Sequence, residues 1–294
     1  MTESIEPALN AARRSIGLFD SGVGGLSVLR EIAARLPCQD MLYLADEAHV
    51  PYGSRRLAEI RRFARAITAF LIEQGACTVV VACNTASAAA LHQLREWFDI
   101  PIVGMEPAVK PAAERTRSRH VGVIATQATF QGELFARLVE RFAAETAVHT
   151  QVCPGLVERV EAGQLDDPET EAMLRSYLQP LMEAGIDSLV LGCTHYPFLL
   201  PVIRRVVGPD VEVIDPAPAV ARQTERVLQS TGCTCTEGKG QVTYFTTGDA
   251  ATFQGKVERL GSVRGRVHEV VWKRGRLRAV PAPARSDKSR SLQE

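Results

Sequence analysis

Two apolar runs of the sequence end in a cysteine that is followed by small polar residues. They are TVVVACNTASA at residues 78–88 and SLVLGCTHYP at residues 188–197. A short, continuous apolar run predicts a strand that is buried on both faces, as in a parallel sheet. Ligands bind beyond the carboxyl ends of such strands, where loops turn into helices. The two runs therefore predict two strands that each carry a thiol to a ligand-binding edge, and we expect the thiols to face each other across one substrate.

Strand and helix patterns alternate along the first half of the chain. The strand-like runs are SIGLFD, MLYLAD, CTVVVA and IPIVGM, and the segments between them carry apolar residues every three to four positions. The longest of these segments, residues 54–75, ends on a glycine that suits a helix C-terminus. Short apolar strands joined by amphipathic helices predict an α/β fold with mainly parallel sheets.

The pattern restarts in the second half of the chain. HVGVIAT at 120–126 is similar to SIGLFDS, FQGELFARLVERFAAE at 130–145 predicts a helix, and DSLVLGCTHYP repeats the strand that ends in cysteine. Parallel strands resemble one another by chance, but the polar residues after both cysteines favour a duplication. We therefore expect two pseudo-symmetric α/β lobes with the active site in the cleft between them.

The predicted lobes divide the chain unevenly. The first lobe is expected to comprise residues 15–106 and 217–262, and the second residues 107–216. A proline-containing tract, IDPAPAVARQTERVLQ, predicts the crossing back to the first lobe. Residues 1–14 and 281–294 are expected to be disordered ends.

The segment after the first lobe is basic. Residues 264–294 contain nine Lys or Arg against three Asp or Glu. Within it, VHEVVWKRGRLRAV alternates in the way that a hairpin does. A basic tail could contact an acidic partner, but a solvated extension is the more common explanation, and we favour it.

The overall composition argues against several classes of protein. Lys plus Arg and Asp plus Glu number 34 each, so no overall field favours nucleic acid or a membrane surface. No apolar run approaches the roughly 20 residues that a membrane-spanning helix needs. The opening MTESIEPALNAARRS lacks the apolar core of a targeting signal. Seven cysteines without framework spacing predict reduced thiols. We therefore expect a soluble cytoplasmic protein.

Four polar segments lie at predicted strand ends. DSGVGGLS, residues 20–27, lacks the G-x-G-x-x-G spacing and the lysine of a phosphate-binding loop, which leaves a small-anion site and a tight turn capped by Asp20 both open. PYGS, residues 51–54, is by itself typical of a turn. CNTAS and CTHYP place Cys83 and Cys193 at helix N-termini, where a thiol becomes more reactive. Buried packing is the simpler interpretation for three other cysteines, Cys38, Cys77 and Cys153.

The sequence predicts neither a metal nor an organic cofactor. Cys193 and His195, and likewise Cys233 and Cys235, are separated by one residue, which is not the two-plus-two spacing of a structural zinc site. The second pair lies among Ser, Thr and Gly residues that are typical of a loop. No nicotinamide-binding fingerprint or pyridoxal-type lysine motif is present.

Six segments together carry a family resemblance. GLFDSGVGGLSVLREI, PYGS, ACNTASA, GVIAT, CPGLVERVEAG and GCTHYPFL follow one another in the order seen in the cofactor-independent glutamate racemases, which this chain resembles over residues 15–262. YFTTGDAATF is similar to the closing strand and turn of that family. One departure is Glu158, which occupies a position where the family commonly has proline.

The resemblance implies a reaction in which two bases flank the α-carbon of glutamate. Removing a weakly acidic proton from one face and returning one to the other requires two acid–base groups. By analogy with the family, Cys83 takes the proton from D-glutamate and Cys193 takes it from L-glutamate. Asp20 is expected to assist Cys83, His195 to assist Cys193, and Glu161 to lie near the second cysteine.

The resemblance also implies the substrate contacts and the biological role. Residues expected to bind glutamate are Asp20, Ser21, Tyr52, Gly53, Asn84, Thr85, Thr194 and His195, joined by Thr126. The expected role is to supply D-glutamate for peptidoglycan, and hence for cell-wall biogenesis and cell shape. The expected partners are glutamate and a second copy of the chain. Two alternatives stay open: a racemase for aspartate or another amino acid, and a non-catalytic protein that binds DNA gyrase.

Overall fold

The computed structural model describes residues 15–142 and 145–280. Its strands are β1 (Ser15–Asp20), β2 (Met41–Ala45), β3 (Ala76–Val81), β4 (Ile102–Gly104), β5 (His120–Ala125), β6 (Ala147–Val152), β7 (Ser188–Gly192), β8 (Glu212–Ile214), β9 (Val242–Thr246), β10 (Gly265–Lys273) and β11 (Arg276–Ala279). The ends expected to be disordered, residues 1–14 and 281–294, lie outside the described residues.

The α-helices alternate with these strands. They are α1 (Leu26–Arg35), α2 (Leu57–Glu73), α3 (Asn84–Trp97), α4 (Val109–Arg115), α5 (Gln127–Gln131), α6 (Glu133–Phe142), α7 (Leu156–Glu161), α8 (Pro168–Glu183), α9 (Leu200–Val207), α10 (Ala217–Thr231) and α11 (Ala250–Arg259). Short 3₁₀ turns cover Tyr52–Ser54 and Tyr196–Leu199. None of the helices within the described ranges is both long and apolar enough to cross a membrane.

The first sheet has seven strands in the order β11-β10-β9-β2-β1-β3-β4. Every pairing in it is parallel except β10 with β11. Successive side chains of a strand point to opposite faces. Thus Ile16 and Leu18 belong to the same hydrophobic cluster as α1 and α10, whereas Phe19 belongs to the cluster of α2 and α3. The strands are continuously apolar because helices cover both faces of the sheet.

The second sheet has four parallel strands in the order β6-β5-β7-β8. Val121 and Val190 pack with α4 and α6 on one face. Ile124 and Leu191 pack on the other face, in the cluster that contains α8 and α9. The predicted α/β class with mainly parallel sheets is therefore confirmed.

The two cysteine-ended strands occupy matching places in their sheets. β1 pairs with β3 in the first sheet, and β5 pairs with β7 in the second. Cys83 follows β3 directly and Cys193 follows β7 directly. The chain returns from the second sheet through α10, which packs against α1.

The predicted hairpin is present and extends the first sheet. β11 pairs with β10 antiparallel, while β10 pairs with β9 in parallel. Arg274 and Gly275 both have positive φ, 51° and 74°, as a two-residue hairpin turn requires. The sheet thus continues to Ala279, beyond residue 262, where the sequence places the end of the first lobe. We therefore propose that the first lobe also includes β10 and β11, and we keep the other lobe boundaries as a proposal.

The prediction of one continuous helix over residues 130–145 is wrong. The structure has two helices there, α5 and α6, separated by Gly132 in an extended conformation (φ −74°, ψ 139°). A Cβ at Gly132 would lie 2.7 Å from the Ala88 Cβ, so the glycine allows this segment to approach α3 closely. The close approach explains why the helical pattern is interrupted here.

Candidate active site

Cys83 lies at the N-cap of α3. Its Sγ accepts a hydrogen bond from the Ala86 N–H at 3.4 Å, and the residue is buried. Burial raises the pKa of this thiol well above its usual value, as do the charges of Asp20 and Cys193, and the N–H groups of Ala86 and Ser21 offset this only in part. A position at a helix N-terminus predicts a lowered pKa for this thiol. Burial has the larger effect, and the pKa is raised. Burial of Cys83 therefore favours the neutral thiol over the thiolate.

Asp20 ends β1 and is fully buried. Its carboxylate accepts hydrogen bonds from the Ser21 hydroxyl at 3.0 Å, from the Gly22 N–H at 3.2 Å and from the Thr194 hydroxyl at 2.7 Å. Burial raises the pKa of Asp20, while the charge of His195 and these hydrogen bonds oppose the rise. Because Thr194 follows β7, Asp20 joins the carboxyl ends of the two sheets.

His195 connects Cys193 to an acid. Its Nδ1 lies 3.8 Å from Cys193 Sγ, and its Nε2 lies 2.8 Å from Glu161 Oε1. Burial lowers the pKa of His195, but hydrogen bonds to Cys193 and Glu161 and the charges of both groups outweigh burial and raise it well above the usual value. An imidazolium that donates from both nitrogens fits this arrangement.

Glu161 stays ionised although it is largely buried. Burial raises the pKa of Glu161, but the hydrogen bond and charge of His195, the charge of Lys256 and the Val23 N–H together lower it to about 2. Of the two glutamates on α7, the family resemblance assigned the place near the second cysteine to Glu161. The structure exposes Glu158 to solvent and brings Glu161 to His195.

We expect the Glu161 carboxylate to stabilise the fold in a pH-dependent way. Its pKa falls from an ordinary 4.5 to about 2, so its contribution is fully present above pH 4.5 and is lost as the pH falls through 2. A shift of this size corresponds to about 3 kcal/mol. Glu161→Gln should lower the urea-unfolding free energy at pH 7, and the difference from wild type should shrink at acid pH. An equal difference at pH 7 and pH 3 would contradict the assignment.

The glycine-rich segment of residues 20–27 is a point of contact between the sheets. A Cβ at Gly24 would collide with His195 and Thr194, and one at Gly22 would collide with the Glu161 carboxylate. The Ser27 hydroxyl donates to the Thr194 carbonyl at 3.1 Å. Of the two interpretations left open by the sequence, the structure favours a tight turn, and the glycines are needed because the second half of the chain packs directly on it.

Two further residues expected to bind the substrate, Tyr52 and Gly53, contact other parts of the protein. The Tyr52 hydroxyl donates to Asp46 Oδ2 at 2.7 Å. Because Asp46 directly follows β2, this hydrogen bond holds the Tyr52 ring at the carboxyl end of that strand. Gly53 lies against Thr126, and a Cβ at Gly53 would lie 2.8 Å from the Thr126 Cβ. Tyr52 and Gly53 therefore shape the wall next to β5.

Asn84 and a cluster of threonine hydroxyls follow Cys83. Both side-chain polar atoms of Asn84 are buried without a hydrogen-bond partner among the described residues. The hydroxyls of Thr85, Thr126 and Thr129 lie 2.9 to 3.2 Å from one another. A buried amide without partners is costly unless something else binds it. The Asn84 amide is therefore a candidate for a hydrogen bond to a polar ligand.

Three residues near the site were not predicted from the sequence. Lys256 Nζ contacts Glu161 Oε2 at 3.0 Å, and Thr129 completes the hydroxyl cluster. Asp46 is fully buried and accepts hydrogen bonds from Tyr52 and, at 2.7 Å, from the Trp272 indole N–H. The only signal for Asp46 in the sequence is an acid directly after an apolar strand.

The described part of the chain contains no group of three or more His, Cys, Asp or Glu side chains that could hold a metal ion. Cys233 and Cys235 lie in the irregular segment between α10 and β9, as the sequence predicted. Cys153 is buried, and burial raises the pKa of its thiol.

The comparisons with known proteins agree with this geometry. A family model described as Asp/Glu/Hydantoin racemase matches residues 16–224, which is more than half of the chain. The chain belongs to the Asp/Glu/hydantoin racemase family. Its two sheets, with a cysteine behind one strand of each, are therefore those of a family member.

Individual racemases resemble the chain over most of its length. A glutamate racemase of Roseiflexus sp. (strain RS-1) is 52% identical over 261 residues, which are 88% of this chain and 96% of the relative. The crystal structure of a glutamate racemase from Bacillus anthracis has a TM-score of 0.82 and 33% identity, covering 90% of this chain and 98% of that one. An Escherichia coli glutamate racemase, solved in complex with L-glutamate and the activator UDP-MurNAc-Ala, has a TM-score of 0.77 and 33% identity over 88% of this chain and 98% of that one. The resemblance stated from the sequence is confirmed.

Proposed function

We propose that this protein is a cofactor-independent glutamate racemase that interconverts L- and D-glutamate with two cysteine bases, Cys83 and Cys193. The observation that carries the proposal is the equivalent placement of these two buried thiols, each directly behind one strand of its own sheet. The glutamate named for the relatives and bound in the E. coli structure supports the substrate. The alternative of an aspartate racemase is not favoured by these relatives.

In the direction from L- to D-glutamate, the Cys193 thiolate removes the α-proton. His195, as an imidazolium 3.8 Å from Cys193 Sγ, favours that thiolate electrostatically. The neutral thiol of Cys83 then donates its proton to the opposite face of the planar carbanion. The protein with a Cys83 thiol and a Cys193 thiolate is therefore ready for L-glutamate.

In the reverse direction, the protonation states of the two thiols are exchanged. Cys83 must be a thiolate to take the proton from D-glutamate, and Cys193 then protonates the other face. Asp20 is fully buried, and its charge raises the pKa of Cys83, so its own protonation state sets how easily that thiolate forms. Asp20 is thus proposed as the group that assists Cys83, and its carboxylate accepts hydrogen bonds from Ser21 and Thr194.

Neutral donors are proposed to bind the two substrate carboxylates and the ammonium. Candidates are Ser21, Asn84, Thr85, Thr126 and Thr194, with Tyr52 and Gly53 forming the wall. Helix N-termini with free N–H groups and hydroxyls can hold a carboxylate without an arginine. The remaining expectations stay proposals: a cytoplasmic location, a supply of D-glutamate for peptidoglycan and a homodimer. The gyrase-binding alternative has no support from a specific contact.

Racemisation of pure enantiomers tests the proposed function. When purified protein is mixed with L-glutamate and no added cofactor, the circular dichroism signal of the glutamate should decay to zero. The signal of D-glutamate should decay to zero in the same way. L-Aspartate serves as the matched competitor substrate and should react far more slowly. Protein that leaves L-glutamate optically unchanged while both thiols remain reduced would refute the proposal, and faster loss with L-aspartate would change the substrate.

Asn84→Ala should weaken substrate binding without weakening the fold. The amide is buried and has no hydrogen-bond partner among the described residues, and such a group costs about 1–3 kcal/mol. We expect kcat/KM to fall roughly tenfold or more, mainly through KM, because a bound substrate loses its hydrogen bonds. The melting temperature without ligand should not fall, and stabilisation by added L-glutamate should shrink.

Thr68→Val is the matched control for Asn84→Ala. The Thr68 hydroxyl is also buried without a partner in the part of the chain that the structure describes, but it lies on α2. Its removal should leave the melting temperature unchanged or higher and the kinetics unchanged. If Asn84→Ala keeps the wild-type KM and the wild-type stabilisation by L-glutamate, Asn84 does not bind the substrate.

A further inference from the structure

Lys256 extends the chain of contacts that begins at Cys193. Its ammonium lies between two carboxylates, Glu161 at 3.0 Å and Glu47. The lysine side chain is 20% exposed, and those of Glu47 and Glu161 are 9% and 11% exposed. This is not the solvated ion pair that most surface lysines make, because all three groups are largely removed from water.

The two oxygens of Glu161 have separate partners. Oε1 is shared between His195 Nε2 at 2.8 Å and the Val23 N–H at 2.9 Å, while Oε2 accepts from Lys256. The only side-chain cation on Oε2 within the described residues is Lys256. Its position therefore decides the rotation of the carboxylate, and with it the hydrogen bond that orients His195.

Lys256 comes from a different part of the fold than the groups it acts on. It lies on α11, next to the first sheet, whereas Glu161 lies on α7 and His195 follows β7 of the second sheet. The charges of these side chains support the same role. Lys256 and a protonated His195 carry two positive charges, and Glu47 and Glu161 carry two negative charges. A thiolate at Cys193 therefore adds one negative charge to four side chains whose charges sum to zero. Without Lys256 the same thiolate would form in a set that is already negative.

We propose that Lys256 is a positioning residue for the Cys193 half of the reaction, which holds Glu161 on His195 and so keeps His195 against Cys193. The proposal rests on the proposed racemase function. It makes α11 part of the machinery for one face of the substrate only. Among the described residues, Lys256 donates hydrogen bonds to Glu47 and Glu161 and not to Cys83 or Asp20, so the D-glutamate face should not depend on it in the same way.

Isotope effects separate the two faces. The enantiomers have equal free energy, so kcat/KM must be equal in both directions for every variant and cannot show which face is affected, whereas the isotope effects can. Lys256→Met should lower kcat/KM about tenfold or more, since a charged hydrogen bond in a buried site is lost. It should raise the primary isotope effect with α-deuterated L-glutamate and not with α-deuterated D-glutamate, because proton removal by Cys193 becomes more rate-limiting.

Three further variants sharpen the test. Lys256→Arg keeps the cation and should recover most of the activity and the wild-type isotope pattern. Lys256→Gln keeps a donor without the charge and gives a measurable protein if Lys256→Met fails to fold. Arg259→Met is the matched control, because Arg259 lies on the same helix and donates to the Ala162 carbonyl at 3.3 Å without touching Glu161. It should leave both isotope effects unchanged.

The pH profile gives an independent readout. Lys256 is one of the groups that lower the pKa of Glu161 to about 2, so its loss should raise that pKa and move the acidic limb of kcat/KM towards neutral pH. Equal isotope effects with both enantiomers, or an unmoved acidic limb, in an active Lys256→Gln protein would overturn the proposal for Lys256 alone. A wild-type protein that does not racemise glutamate would instead refute the proposed function.

Discussion

Replacing Cys83 or Cys193 by serine is expected to lower racemisation by about a thousandfold or more in both directions, as is typical when a positioned acid–base group is removed. A complete cycle needs both groups, one to remove the proton and one to return it. Serine has nearly the size of cysteine, but its hydroxyl is a far weaker acid and cannot supply an alkoxide at neutral pH. Both cysteines should therefore be equally indispensable for turnover.

Cys235→Ser is the matched control for these two variants. Cys235 is exposed and lies in the irregular segment between α10 and β9. Its replacement should leave the rate unchanged, which separates the loss of a specific thiol from a general effect of cysteine substitution. Near wild-type turnover in Cys83→Ser or Cys193→Ser would mean that another residue serves that face of the substrate.

Asp20→Asn and His195→Asn are expected to slow proton removal from opposite faces of the substrate α-carbon. Each should lower kcat/KM by roughly one to two orders of magnitude, because the group that tunes a catalytic thiol is lost. Asp20→Asn should raise the isotope effect with α-deuterated D-glutamate: the Asp20 charge raises the pKa of Cys83, so its loss leaves the Cys83 thiolate a weaker base and slows proton removal. His195→Asn should raise it with α-deuterated L-glutamate.

The geometry makes the His195 prediction the more direct of the two. His195 lies 3.8 Å from Cys193 Sγ and is held by Glu161, whereas Asp20 acts on Cys83 through its charge. Steady-state rates with both deuterated enantiomers measure the effect in each variant. The same isotope pattern in both variants would contradict the assignment of one assisting group to each cysteine.

The α/β class and the two thiols could be predicted because both depend on local sequence. A buried parallel strand must be apolar along its whole length, so the runs before Cys83 and Cys193 stand out. The small polar residues behind them mark helix N-termini at the binding edge. Neither inference needs a contact between distant parts of the chain.

The contacts that join the halves of the chain could not be predicted in this way. Glu161 and Lys256 are 95 residues apart in sequence, and Lys256 lies on an amphipathic helix where a lysine is typical of a solvated face. The glycines at 22 and 24 were ambiguous for the same reason, since their need for space comes from His195 and Glu161 in the other half. Long-range packing decides these positions.

Two features of the fold were partly visible in the sequence. The alternation of residues 267–280 predicted the hairpin, but nothing local shows that β10 pairs in parallel with β9 and prolongs the first sheet. The helical pattern across residues 130–145 hid the break at Gly132, because a single glycine within an apolar periodicity is tolerated in many helices. Its meaning became clear only from its contact with Ala88.

Racemisation of L-glutamate in heavy water tests the two-thiol account most directly. Early in the reaction, the D-glutamate product should carry deuterium at the α-carbon, because Cys83 donates a solvent-derived deuteron to the face opposite Cys193. The recovered L-glutamate should still carry protium. Product that retains protium, or substrate and product that are labelled at the same rate, would contradict two separate bases on opposite faces.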